Sequence, residues 1–74
     1  MNWAEKMDAV VKDILGIEYT CVVNSDKSFT IFENNEKVAT RKSIYYLESH
    51  WRHELAETLK IIFDQRIQKA LQKV

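Results

Sequence analysis

Apolar side chains at Trp3, Met7, Val10, Val11, Ile14 and Leu15 recur at the three- and four-residue spacing of one helical face, which predicts a first helix over about residues 3–15. Asn2 stands where a cap is needed, and Glu5 follows three positions later, as a capping box requires. Gly16 supplies a residue free to adopt the left-handed conformation that ends a helix, and Ile17 is placed to pack back on it.

The pattern then changes period. From Glu18 to Arg41 the chain is rich in β-branched and aromatic residues, broken by Asn24-Ser25-Asp26-Lys27 and by Asn34-Asn35. Three antiparallel strands are expected, at 17–23, 28–33 and 36–41. Asn34-Asn35 suits a two-residue turn with positive φ at both positions, setting Ile31 opposite Val38 and Phe29 opposite Thr40. A three- or five-residue first turn sets Val23 opposite Phe29 and Cys21 opposite Ile31. One face then gathers Tyr19, Cys21, Val23, Phe29, Ile31 and Val38 as core. The other carries Glu18, Thr20, Val22, Thr30, Phe32, Lys37, Ala39 and Arg41 towards solvent.

A long helical pattern closes the chain, from about Ser43 to Lys73, with Thr40 or Ser43 as the expected cap. Ile44, Leu47, Trp51, Leu55, Leu59, Ile62, Phe63, Ile67, Ala70, Leu71 and Val74 are expected to keep one stripe along it. A helix of about 31 residues is roughly 46 Å long, whereas a compact chain of this size is only about 30 Å across. Its end should overhang the body by roughly ten residues at that rise. Apolar residues in water are unfavourable, and no glycine or proline offers a break, so docking on another chain is expected. Phe63, Ile67, Leu71 and Val74 are the expected homodimer contacts. The fold class predicted is α+β: α-β-β-β-α, a three-stranded antiparallel meander covered on one face by two helices, in a single domain over 1–74.

Composition narrows what such a fold does. At 46% hydrophobic and 30% charged residues the chain is too apolar to be disordered. Eleven basic residues balance eleven acidic ones, so no net charge draws the molecule to nucleic acid or an anionic membrane. Cys21 is the single cysteine, which excludes an internal disulfide and fits a reducing compartment. Glu5, Asp8 and Asp13 interrupt Met1–Leu15, unlike a signal peptide, and no apolar run approaches a membrane span. A cytoplasmic location is expected.

Candidate chemistry is sparse. His50, His53 and Glu57 fall on one side of the helix, a spacing that suits zinc. However, His50-Trp51-Arg52-His53-Glu54 is not the metalloprotease order, and Arg52 adds positive charge, so a solvated polar face is expected and no metal. Cys21 falls on the core face while the histidines point away, so no Cys/His nucleophile forms. One glycine cannot build a phosphate loop. No cofactor and no catalysis are expected.

Two binding readings remain. Arg41, Lys42, Tyr45, Tyr46 and Arg52 combine positive charge with stacking rings, as nucleic-acid binding needs, although Glu33, Glu36, Glu48 and Glu54 interrupt the patch. A protein partner is favoured instead, contacted through Val22, Phe32, Tyr46, His50, His53 and Ile61, because aromatic anchors in a low-charge setting suit interface centres.

Asn35-Glu36-Lys37-Val38 at the end of a short hairpin, followed by Ile44-Tyr45-Tyr46-Leu47-Glu48-Ser49 leading into a helix, resembles small phage and prophage accessory proteins over about residues 29–63. The resemblance implies a short protein that inhibits or redirects a host protein, host defence nucleases included. It carries no site motif that transfers to individual residues.

Overall fold

The computed structural model describes residues 2–73. The order is α1 (Trp3–Leu15), β1 (Tyr19–Val23), β2 (Phe29–Glu33), β3 (Glu36–Arg41) and α2 (Leu47–Gln72), with sheet order β1-β2-β3, all antiparallel. This is the α-β-β-β-α architecture expected from the sequence, with both helices packed on the sheet.

The start of α1 follows its capping signal. Asn2 is extended, and its Oδ1 accepts from the Glu5 N–H at 2.9 Å. At the other end Gly16 has φ +130° and ψ 161°, a conformation open to glycine but outside the left-handed helical region. Its N–H still closes the helix by donating to the Lys12 carbonyl at 3.0 Å. The fully extended ψ sends the chain outward, so Ile17 is 87% exposed and does not pack back on α1.

Met7, Val11 and Leu15 from α1 meet Tyr19, Cys21, Phe29 and Ile31 from one sheet face and Leu47, Trp51, Leu55, Leu59 and Ile62 from α2. The β1–β2 register is the expected one, Val23 opposite Phe29 and Cys21 opposite Ile31. The β2–β3 register is not. Asn34 and Asn35 take positive φ as the turn requires. A bulge then places Lys37 opposite Phe32 but Ala39, rather than Val38, opposite Ile31, and Arg41, rather than Thr40, opposite Phe29.

One inserted residue reverses the facing of everything beyond it. Val38 and Ala39 both lean on the core, half-buried, and Arg41 turns from the outer face to the helix face. Thr30 is buried as well, although on the outer face: it sits on the central strand, beside Asn24, whose amide lies 3.3 Å from its hydroxyl.

The α2 helix starts at Leu47, four residues later than expected, and neither Thr40 nor Ser43 caps it. The Ser43 hydroxyl donates instead to the Asp26 carbonyl, and the Ile44 N–H to the Lys27 carbonyl. Both groups are spent on tying this segment to the β1–β2 turn, so Tyr46 becomes the cap without a side-chain bond. That turn is held by Asp26, whose carboxylate accepts from both the Ser28 N–H and hydroxyl; those bonds hold its carboxyl below the usual carboxylate range.

Candidate interaction surfaces

The far half of α2 stands clear of the domain. At 26 residues the helix is roughly 39 Å long, close to the 41 Å long axis of the whole chain, whose other axes are 22 and 18 Å. Ile62 is its last buried residue. Beyond it Phe63, Ile67 and Leu71 are 39%, 55% and 62% exposed. Val74, expected in the same group, lies outside the described residues.

The apolar residues of α2 do not keep one stripe. Phe63, Ile67 and Leu71 continue the four-residue row of Leu47, Trp51, Leu55 and Leu59, but at about 100° per residue each step of four turns that row a further 40° or so, and past Leu59 it leaves the core side. Followed backwards, the exposed end of the row runs through Leu59, beside Ala56, into an open apolar groove of about 240 Å³ between the helices, lined by Val10 and Ile14 of α1 and by Trp51, Arg52, Leu55, Ala56 and Leu59 of α2. Ile14 is half-exposed there, and the Arg52 guanidinium lies 4.5 Å from the Trp51 ring centroid.

The two exposed sheet edges are protected in different ways. Pairing with β2 uses the backbone groups of Thr20 and Val22, so those of Tyr19 and Cys21 face the open side of β1. Two α1 side chains meet them: Asp8 accepts from the Cys21 N–H at 2.9 Å, and Lys12 donates to the Tyr19 carbonyl at 2.7 Å. Lys12 also bonds Asp8 at 2.9 Å. Partial burial pushes the Asp8 carboxyl up, but the Cys21 N–H and the Lys12 ammonium outweigh it and hold it below its ordinary value. The β3 edge is blunted by its bulge and by Glu36 and Lys37. Strand addition is therefore disfavoured at both edges.

The residues singled out from the sequence divide among several places. Val22 is exposed and Phe32 half-buried on the outer sheet face, opposite the helices. Tyr46 and His50 touch edge to face, ring centroids 4.6 Å apart, and the His50 Nδ1 pairs with the Ser49 hydroxyl at 2.9 Å. His53 pairs with Glu57 instead, Nε2 to Oε1 at 3.1 Å. Ile61 is exposed on α2. Val22 and Phe32 thus lie on the sheet face, while Tyr46, His50, His53 and Ile61 lie on or at the start of α2.

His53, Glu54 and Glu57 bring three potential ligand atoms within 4.8 Å of one another. The Arg41 guanidinium already bridges Glu54, at 2.7 Å, and Glu57, supplying the positive charge that these carboxylates attract. His50 is outside this cluster. The same bridge removes Arg41 from the basic patch with Lys42, Tyr45, Tyr46 and Arg52, while Lys42 and Tyr45 stay exposed. No sequence signal marked this bridge, because it depends on the β3 bulge. Cys21 is buried, and burial, the first cause, together with the Asp8 charge pushes its thiol up to about 12. It is not a nucleophile near neutral pH.

Comparison with protein-family models, with curated proteins and with solved structures finds no match for this chain. Among the described residues no helix is long and apolar enough to cross a membrane.

Proposed function

We propose that this chain is a non-catalytic protein-binding domain, an inhibitor or adaptor that acts by covering a surface of another protein. The observation that carries the reading is the exposed line of Phe63, Ile67 and Leu71 on a helix end that has left its own core behind. Large apolar side chains at regular spacing on an isolated helix face are costly in water and suit a helix-to-groove contact. The lack of an activated group among the described candidates supports the same reading. Cys21 is buried with a raised pKa, and the two histidines are exposed and engaged with separate neighbours.

Substitution separates association from folding. Ile67→Asp with Leu71→Asp should leave the urea midpoint of the monomer close to that of the parent, since neither side chain is buried. Leu55→Ala, at 2% exposure, should cost about 2–5 kcal/mol. Binding to proteins, self or other, should be lost in the Ile67/Leu71 variant. Proteins captured equally by parent and variant would refute the tail as the contact.

A further inference from the structure

The groove between the helices and the overhanging line on α2 form one continuous apolar surface, and its charge pattern selects an occupant. Arg41 already bridges Glu54 and Glu57, so those carboxylates are not free to attract a partner. On one flank of Phe63, Lys60 stands before it and Asp64 after it. A second copy running the opposite way sets Lys60 against Asp64 there, whereas two parallel copies would set like charge on like.

Resting on the protein-binding reading above, we infer that the partner of the tail is a second copy of this chain: two α2 helices cross antiparallel at Phe63, and each tail seats Ile67 and Leu71 against Ala56 and Leu59 of the other, beside the Ile14 wall of its groove. Such a contact is isologous and closed, so it stops at two. With Phe63 at the crossing, residue 72 of one copy lies level with residue 54 of the other, an overlap of roughly 28 Å of helix. Ala56 and Ala70 stand two helical turns on either side of Phe63 and face its side of the helix. The pairing therefore sets Ala56 against the partner's Ala70.

Lys60 and Asp64 lie on one flank of the crossing and are outside every ion pair among the described residues. In the antiparallel pair each Lys60 comes within side-chain reach of the partner's Asp64. Pairing also leaves both outer sheet faces, with Val22 exposed, uncovered.

Sedimentation equilibrium over a wide concentration range should give twice the 8.8 kDa chain mass, without growth beyond two. Asp64→Lys should weaken the dimer at least tenfold, and adding Lys60→Asp should restore it. Under mild oxidation a mixture of Ala56→Cys and Ala70→Cys chains should cross-link to each other, while Ala70→Cys alone should not. All four positions are exposed, so folding is retained, and the buried native Cys21 stays silent. A monomer at the highest soluble concentration, a mass that grows past the dimer, self-linking of Ala70→Cys, or no rescue by the double charge exchange would each overturn the inference. A monomeric parent that loses its captured proteins on Ile67→Asp/Leu71→Asp would refute self-pairing alone. The failure of both experiments would remove the protein-binding reading as well.

Discussion

Asp8→Ala tests how the free edge of the sheet is held. In the native chain this carboxylate accepts two bonds, from the Cys21 N–H and from the Lys12 ammonium, each at 2.9 Å. Bonds to a charged group are worth about 1.5–3 kcal/mol, but the Asp8 side chain is one-third exposed, so solvent screening reduces the expected loss to about 1–2 kcal/mol. In a domain of this size that lowers the melting temperature by about 5–10 °C. Asp8→Asn keeps an acceptor for the Cys21 N–H and removes the charge, so it should lose about half as much on the same scale.

The pH dependence gives a second check. The folded-state pKa of Asp8 lies below its ordinary 3.8. Its contribution is thus fully present above that value and disappears as pH falls through the folded pKa. Urea unfolding of parent and Asp8→Ala should accordingly differ by a constant amount near neutrality, and the gap should close in acid. A loss at pH 7 under about 0.5 kcal/mol, within the range of ordinary surface substitutions, or a gap that widens in acid, would refute this account of the edge.

Three other substitutions or treatments probe features on which the surfaces depend. Gly16→Ala forces a side chain into φ +130° and should destabilise by about 1–3 kcal/mol; the Glu18 carboxylate, 2.6 Å from the new Cβ, is flexible and can move aside. Arg41→Ala leaves Glu54, only 14% exposed, without its cation. Thermal melts should show a loss of about 1–2 kcal/mol, with Glu54→Gln recovering part of it. Cys21 should resist iodoacetamide in the native state at pH 8, as its buried thiol titrates near 12; mass spectrometry should show rapid modification only once denaturant is added.

The elements were legible wherever a local signal set them. The Asn2 cap, the Gly16 stop, the Asn34-Asn35 turn and the pairing of Cys21 with Ile31 all follow from residues close in sequence or from alternation along one strand. What escaped depended on choices between distant groups. The β3 bulge carries no glycine or proline to announce it, yet it decides that Arg41 faces α2 instead of solvent. The late start of α2 depends on hydrogen bonds with the 24–28 turn, nearly twenty residues away. The overhang was visible from helix length alone. The gradual drift of the four-residue row of Leu55, Leu59, Phe63, Ile67 and Leu71 off the core side was hidden because spacing alone does not show where a row leaves its partner.

The positions of the helix that bury against the domain run from Leu47 to Ile62, and no described residue after Ile62 is buried. A chain cut shortly past Phe63 should therefore fold nearly as well and lose only its attachment. The remainder grows from a helix that is already formed but gains nothing from packing, so its last turns should fray while unoccupied and firm up on contact. Affinity can then be tuned by helix propensity in the final turns, through changes that alter neither the contact residues nor the stability of the body.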